Sequence, residues 1–137
     1  MKLIELSNTT PQTTAIGTPV NLGSIDRRIS CGNSNVNAFQ VAPTTITLAL
    51  TGYYLIDLTA VVTALTVNTT DTLTIYANGT ELPSAKSTET LTAVGDTATH
   101  SVSKIVRVFC NSSLTISIIP SAVSTLETIN VSIIKLA

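Results

Sequence analysis

Short runs in which apolar and polar residues alternate dominate this chain. In residues 114–118 leucine and isoleucine alternate with threonine and serine, and in residues 101–110 three valines face away from Ile105 and Phe109. A two-residue period is that of a strand with one buried face. No stretch long enough for a helix has the helical period. The pattern therefore predicts an all-β protein.

Turn residues separate these strands at short intervals. Asn78-Gly79 is a strong hairpin signal, because both residues tolerate positive φ, and Pro83 is predicted to interrupt the strand that returns from it. The further predicted strands are residues 3–6, 20–25, 36–41, 45–50, 53–67, 73–77, 89–94 and 129–136. The prediction is an antiparallel jelly-roll sandwich of about eight to ten strands, forming a single domain over residues 1–137. Residues 1–35 are predicted to supply N-terminal strands and loops, and residues 36–137 the core of the sandwich.

The longest predicted strand, residues 53–67, is apolar on both faces. Tyr54 and Ile56 belong to one apolar face, whereas Leu55 and Val61 belong to the other. A strand that is apolar on both sides needs cover on both sides, so we predict a second copy of the chain against the face that the core does not use. The alternative is a monomer with one thickly covered sheet. The residues predicted at the interface between copies are Leu55, Val61, Ile133 and Leu136.

Composition and charge exclude several classes of protein. The chain has 25 threonines, which favour strands, and 11% charged residues, against about 25% in ordinary domains. With a net charge of −1 and one basic pair, Arg27-Arg28, which is predicted to be a solvated loop, the chain has no surface for nucleic acid. Asp57 interrupts the longest apolar tract, so no membrane insertion is predicted. Glu5 interrupts the first one, so we predict no signal peptide and synthesis in the host cytoplasm.

The residue types that carry chemistry are few and scattered. His100 is the only histidine and no G-x-S-x-G sequence accompanies it, so we predict a hydrogen-bonded surface or interface histidine and no catalytic one. The carboxylates are isolated, and Asp71 and Asp96 are predicted to form turns. Calcium at loop carboxylates is the alternative. We predict no catalytic residue, no cofactor, no metal site and no enzymatic activity.

The cysteines and tyrosines each leave an alternative open. Cys31 and Cys110 lack the spacing of a redox or zinc motif, so two unpaired buried thiols are predicted, with one disulfide as the alternative. Tyr53, Tyr54 and Tyr76 are predicted to pack in the core or at an interface, with a sugar-stacking patch as the alternative. Because Tyr53 and Tyr54 are neighbours in a strand, at most one of them can join any one face.

The order of motifs over residues 36–137 resembles a known superfamily. The segments that carry the resemblance are the Gly-Tyr-Tyr-Leu-Ile opening of the long strand, the hairpin Asn78-Gly79-Thr80-Glu81-Leu82-Pro83, Val106-Arg107-Val108-Phe109-Cys110, residues 114–118 and the terminal strand 129–136. They resemble the trimeric jelly roll shared by tumour necrosis factor and the complement globular head, whose bacterial and phage members include exosporium tips and virion structural proteins. The resemblance implies a homotrimer with the last strand near the three-fold axis. The chain departs from the family in lacking a Gly-X-Y stalk and tryptophan.

Two functions follow as hypotheses. The first is a non-enzymatic structural protein of a phage or prophage particle, of the head-decoration or fibre type, located in the virion with a capsid or fibre protein as partner. The alternative is a receptor- or carbohydrate-binding tip on a virion, spore or cell surface, with a cell-surface glycan as partner. For that alternative, loops 26–35, 68–72 and 84–98 are the predicted contact regions.

Overall fold

The computed structural model describes residues 1–30 and 37–137, and these residues form strands and turns without a helix. Residues 31–36 lie outside the described residues. They include Cys31, whose thiol was predicted to be buried, and Val36, the first residue of the predicted strand 36–41. The strands are β1 (Lys2–Asn8), β2 (Gln12–Thr13), β3 (Ser24–Ser30), β4 (Phe39–Ala42), β5 (Thr45–Leu48), β6 (Gly52–Ala64), β7 (Thr69–Ala77), β8 (Thr80–Leu91), β9 (Thr97–Val108), β10 (Leu114–Pro120) and β11 (Ser124–Lys135).

The described strands form two antiparallel sheets packed face to face. Sheet A has the order β3-β1-β11-β6-β9, with β2 paired to β11, and sheet B has the order β4-β5-β10-β7-β8. This architecture confirms the predicted antiparallel jelly-roll sandwich. The core lies between the sheets because alternate residues of each strand point inward. In the central strand β6, for example, Tyr54, Ile56 and Leu58 are at most 1% exposed.

The N-terminal strands differ from the predicted ones. The second predicted strand, residues 20–25, is an irregular segment in which Val20 and Leu22 are buried, and the strand follows as β3. Arg27 and Arg28 are exposed residues of β3 and do not form the predicted loop. Arg27 Nε lies 3.6 Å from Glu5 Oε2 on the neighbouring strand β1. Pairing with β1 therefore makes a strand of a segment whose local sequence suggests a loop.

The hairpin between β7 and β8 is confirmed. Asn78 and Gly79 both have positive φ, at 51° and 76°. Paired left-handed residues give the turn whose twist matches that of the two strands. The Asn78 side chain also accepts a hydrogen bond from the Thr115 amide at 2.8 Å. The turn is therefore tied to β10 as well as to its own strands.

Pro83 interrupts the regular pairing of β8, as predicted, within a bulge beyond which the strand continues. Thr74 of β7 pairs with Lys86 and Tyr76 pairs with Glu81, so residues 82–85 of β8 loop out opposite a single residue. Proline has no amide hydrogen for the ladder, and Ser84 has a φ of 58°, so this stretch cannot continue regular pairing. Because β8 is the edge of sheet B, the bulge is tolerated. It brings Glu81 and Lys86 together on the outer face.

Two further predicted loops lie mostly in strands. Residues 69–72 of loop 68–72 belong to β7, and residues 84–91 of loop 84–98 belong to β8. Loop 26–35 is likewise strand up to Ser30, and its remainder falls outside the described residues. The threonines of these segments favour strands, although the segments lack a clear alternation of apolar and polar residues. Pairing to neighbouring strands decides their structure.

The short turn between β8 and β9 contains the predicted turn former Asp96. The Ala93 amide and the Thr92 hydroxyl donate to Asp96 Oδ2 at 2.9 and 3.0 Å. The hydrogen bond from the Ala93 amide, followed by that from Thr92, holds the pKa of the Asp96 carboxyl below its ordinary value. The carboxylate form is therefore the one that the folded turn favours.

Replacing Asp96 with alanine should lower the melting temperature at pH 7 and lower it less at pH 3. A carboxyl whose pKa is lowered by folding contributes stability above its unfolded pKa, about 3.9, and that contribution is lost as pH falls through the folded value. Thermal melts of both proteins across this range measure the difference. If the melting-temperature difference is the same at both pH values, the ionised Asp96 carboxyl does not stabilise the turn as described.

Candidate functional site

An apolar row crosses the outer face of sheet A, on the side away from the core. The row is continuous because its members are direct cross-strand partners in five adjacent strands. Its members, from β3 to β9, are Ile29, Leu3, Ile134, Leu55 and Ile105. Ile105 at the edge is 56% exposed, Leu3 is 6% exposed, and the other three residues are half-buried. A solvent-facing side of an antiparallel sheet normally carries polar residues, so this row is a candidate contact surface.

A second group of apolar side chains continues the surface toward one end of the sheet. Leu136, Tyr53 and Phe109 are 51%, 45% and 58% exposed. The Arg107 guanidinium lies 5.5 Å from the ring centroid of Tyr53 and 4.6 Å from that of Phe109. The row and these three residues are called here the apolar end of sheet A.

The rest of the outer face of sheet A is mostly polar. The next row contains Asp57, whose Oδ1 accepts a hydrogen bond from the Ser103 hydroxyl at 2.6 Å. Further along β6 the outward residues are Thr59, Val61 and Thr63. The face is therefore divided along its length, and the apolar end occupies one half of it.

The four predicted interface residues fall in three places. Leu55 and Leu136 belong to the apolar end of sheet A. Val61 shares their face but lies in the polar half, between Thr128 and Thr99. Ile133 is 0% exposed in the core, because it is one residue out of phase with the outward Ile134. Ile133 is therefore corrected to a core residue, and its neighbour Ile134 takes its place on the surface.

A groove of about 390 Å³ lies on the opposite side of the sandwich, across the outer face of sheet B. Its floor includes Thr72, Thr74 and Tyr76 of β7. One wall is the Glu81–Lys86 pair, with Nζ 3.1 Å from Oε1, which the β8 bulge creates. The other wall is the segment that carries Ile16, and Pro120 and Ser121 line the end. The groove thus combines hydroxyl groups, one aromatic ring and one ion pair.

A buried hydrogen-bonded chain joins the two sheets at their β8 and β9 edges. His100 Nε2 lies 3.1 Å from Asp71 Oδ2, and His100 Nδ1 lies 3.0 Å from the Ser87 hydroxyl. Asp71 and His100 are both 0% exposed. The predictions of a turn for Asp71 and of a surface or interface position for His100 are therefore wrong.

The periodicity of the strands contains the signal that sequence analysis missed. Asp71 is two residues before the core residue Leu73, and His100 is two residues before the core residue Val102. Since alternate residues share a face, both side chains are placed inward once the strands are extended to these positions. Their partnership is non-local, and only the packing of the two sheets reveals it.

Asp71, His100 and Ser87 are the residue types of a hydrolase triad, but their arrangement suits a structural bond. A nucleophile needs access to substrate and donors for a developing oxyanion. Here the imidazole and the carboxylate are sealed from solvent, and the groove on sheet B is lined by other residues. The hydrogen bonds of His100 with Asp71 and Ser87 instead satisfy buried polar groups. Asp71 Oδ1 alone among these atoms has no hydrogen-bond partner among the described residues.

Other candidate chemistry was also located in the described part of the chain. Cys110 is exposed, which corrects the predicted burial of its thiol, because the residue follows the end of β9. No group of three His, Cys, Asp or Glu side chains in residues 1–30 and 37–137 is placed to hold a metal ion. The same residues contain no apolar helix long enough to cross a membrane.

Solved structures with this fold identify its class. The globular domain of a zebrafish complement 1qA protein matches with a TM-score of 0.71 and 11% identity, over 100% of this chain and 98% of that one. Murine APRIL at pH 5.0 matches with a TM-score of 0.73 and 12% identity, over 98% of both chains. PRD1 vertex protein P5 matches with a TM-score of 0.64 and 15% identity, over 99% and 97%.

The fold is therefore the jelly roll shared by tumour necrosis factor and the complement globular head, and the resemblance seen in the sequence is confirmed. No protein-family model matches the chain, and neither does any curated protein. At 9–15% identity these structures define the fold and leave the function to be argued from the surface.

Proposed function

We propose that this chain is a non-enzymatic structural protein of a phage or prophage particle, of the head-decoration or fibre type. It assembles as a homotrimer through the apolar end of sheet A and resides in the virion, against a capsid or fibre protein. The observation that carries the proposal is the continuous apolar row across five strands. Burial of such a surface contributes roughly 25 cal/mol per Å² of apolar area.

Another copy of the chain is the occupant that best fits this surface. The apolar end includes residues of β1 and β11, and β11 corresponds to the strand that the fold resemblance places near a three-fold axis. The Arg107 guanidinium lies within about 6 Å of both ring centroids, so its charge is in cation–π contact with Tyr53 and Phe109. Arginine and aromatic residues are enriched in the centre of protein interfaces, where most other charges are depleted.

The virion assignment is supported by one of the structural neighbours. PRD1 vertex protein P5 is a phage protein that has this fold over nearly the whole of both chains. Neighbours from complement and from the tumour necrosis factor group have it as well. The alternative of a receptor- or carbohydrate-binding tip, on a virion or on a bacterial spore or cell surface, is favoured by the groove on sheet B.

Replacing Ile105 with aspartate should convert the oligomer to monomer while leaving the fold intact. Ile105 is 56% exposed in the single chain, so the charge does not disturb the core. In the oligomer the carboxylate would be withdrawn from water in an apolar contact, at a cost of several kcal/mol. The matched control is Thr99→Asp, an exposed residue on the same strand and face but in the polar half. Sedimentation velocity and native mass spectrometry of the variants and the unchanged chain give the mass.

The proposed interface is contradicted if the unchanged chain is a monomer. It is also contradicted if the trimer stays intact in Ile105→Asp and dissociates in Thr99→Asp. The virion assignment has a separate test, which is mass spectrometry of particles purified from the source culture after induction. Finding the chain at a stoichiometry of a capsid or fibre component supports the structural role. Its absence from purified particles overturns that role, even if the trimer forms.

A further inference from the structure

We propose that the groove on the outer face of sheet B binds a neutral saccharide. The inference concerns the opposite side of the sandwich from the apolar end of sheet A, so it does not depend on trimer formation. It also gives the alternative carbohydrate-binding function a location, on a sheet face and not in the predicted loops 26–35, 68–72 and 84–98. The groove's volume of about 390 Å³ is near the lower end of small-ligand sites, about 300–1,000 Å³, and suits a short glycan.

The hydrogen-bonding groups of the groove are mainly hydroxyls that are already held in position. The Ser121 hydroxyl accepts from the Thr72 amide at 2.8 Å, and the Thr72 and Thr88 hydroxyls lie 2.8 Å apart. Each hydroxyl is both a donor and an acceptor, so after these bonds it retains capacity for another partner. A polyhydroxylated ligand has the same dual character. Groups held in position need not be ordered on binding, which lowers the cost of binding.

The charge of the groove selects a neutral ligand. Glu81 and Lys86 are the ionised side chains that line it, and they form an ion pair 3.1 Å long. Their charges compensate one another, so the groove offers no net attraction to a phosphate, sulfate or sialic acid. The paired carboxylate still accepts, and the ammonium still donates, hydrogen bonds to sugar hydroxyls. The pair is created by the β8 bulge, a feature that often re-aims side chains at functional sites.

Apolar contacts are supplied by Tyr76 on the floor and Ile16 on the wall. Tyr76 is half-buried among polar neighbours on an outer sheet face, where its ring can pack against the C–H face of a pyranose. Ile16 is 67% exposed. Its segment is fixed by the Thr14 and Gly17 amides, which donate to the Ser124 and Pro120 carbonyls at 2.8 and 3.1 Å. An apolar side chain held in this way beside hydroxyls suits an amphipathic ligand.

A peptide is a poorer occupant than a saccharide. Peptides that add to sheets do so along an edge, where backbone groups are free. This groove lies across the face of the β10-β7-β8 ladder, where the backbone groups are paired between strands. The hydrogen bonds available to a ligand are therefore those of side chains.

The test applies the full chain to an array of neutral and charged oligosaccharides and then titrates the best neutral ligand into ¹⁵N-labelled protein. We expect saturable shifts in the amides of Thr72, Thr74 and Ser121. Tyr76→Ala should weaken binding about tenfold, the effect of losing one aromatic contact. Tyr76→Phe should retain it within about threefold, because the ring is kept. The control is Thr70→Ala, on the same strand and face but outside the groove.

Several results would overturn the inference. They are an array without neutral ligands, binding confined to sialylated or sulfated glycans, shifts that map outside the groove, and a Tyr76→Ala variant that binds like the unchanged chain. If Tyr76→Ala fails to fold, the double variant Glu81→Gln, Lys86→Met replaces it and should also weaken binding. Failure here leaves the trimer and virion tests unaffected, and a monomeric Ile105→Asp variant should still bind the glycan.

Discussion

Replacing His100 with leucine is expected to lower the free energy of unfolding by about 3–5 kcal/mol, the cost of leaving a buried charge without its partner. Asp71 is 0% exposed and its Oδ2 would lose the imidazole, while Oδ1 already lacks a partner among the described residues. Glu89 lies directly across from Asp71 on β8 and would add a like charge. Urea denaturation followed by circular dichroism at pH 7 measures the change.

Two further variants distinguish the contribution of the Asp71–His100 pair to stability from that of the surrounding residues. The double variant Asp71→Val, His100→Leu should recover most of the lost stability, because it removes both polar partners together. The control is Asp57→Val, which breaks the 2.6 Å contact with Ser103 on the outer face and should cost about 0–1 kcal/mol. If the single His100 variant is as stable as the unchanged chain, or the double variant is no better than the single one, the buried pair does not have this role.

Replacing Tyr54 with alanine should cost about 3–5 kcal/mol, the usual range for removing a buried aromatic side chain. Tyr54 is 0% exposed, its ring lies edge-on to Phe39 at 6.0 Å, and its hydroxyl donates to the Leu50 carbonyl at 2.7 Å. Burial raises the pKa of the Tyr54 hydroxyl above its ordinary value, so the core favours the neutral form. Denaturant unfolding at pH 7 measures the loss.

The adjacent Tyr53 provides a matched control on the other face of the same strand. Tyr53 is 45% exposed, so Tyr53→Ala should change the free energy of monomer unfolding by no more than about 0.5 kcal/mol. It should instead weaken self-association, because Tyr53 belongs to the apolar end of sheet A. Equal losses of monomer stability in the two variants would mean that the faces of β6 are not divided as described.

The fold follows closely from local sequence signals because alternation is a strong signal in the longer strands. In β6, β9 and β10 the apolar residues predicted to share a face do share one, and Asn78-Gly79 forms the predicted hairpin. Strand ends were less predictable. β6 ends at Ala64, and Leu65 and Val67, predicted to extend it, lie beyond it and are exposed. Local apolar character alone does not show where pairing stops.

The candidate sites were harder to predict from the sequence, because they depend on which strands are neighbours in the sheets. The apolar row joins residues as distant as Leu3, Leu55 and Ile134, and no local pattern shows that they align. Leu55 and Leu136, predicted at the interface, lie in the apolar end, but Ile133, predicted with them, is a core residue, because the sequence alone does not show which face of the last strand the core covers. The groove and the Asp71–His100 pair escaped prediction for a similar reason. The groove depends on a bulge in β8, and the Asp71–His100 pair depends on contact between the two sheets.

The apolar end and the groove lie on opposite sheets, and this separation matters for how the protein would meet a surface. Subunits joined through sheet A would each turn a groove outward, so one particle component would display three equivalent weak sites. On a glycan-coated cell the second and third contacts form at a high effective concentration, and such avidity can exceed the single-site affinity by about 10²–10⁴. A millimolar contact would then be enough for durable adhesion, yet each site could release and rebind as the particle moves.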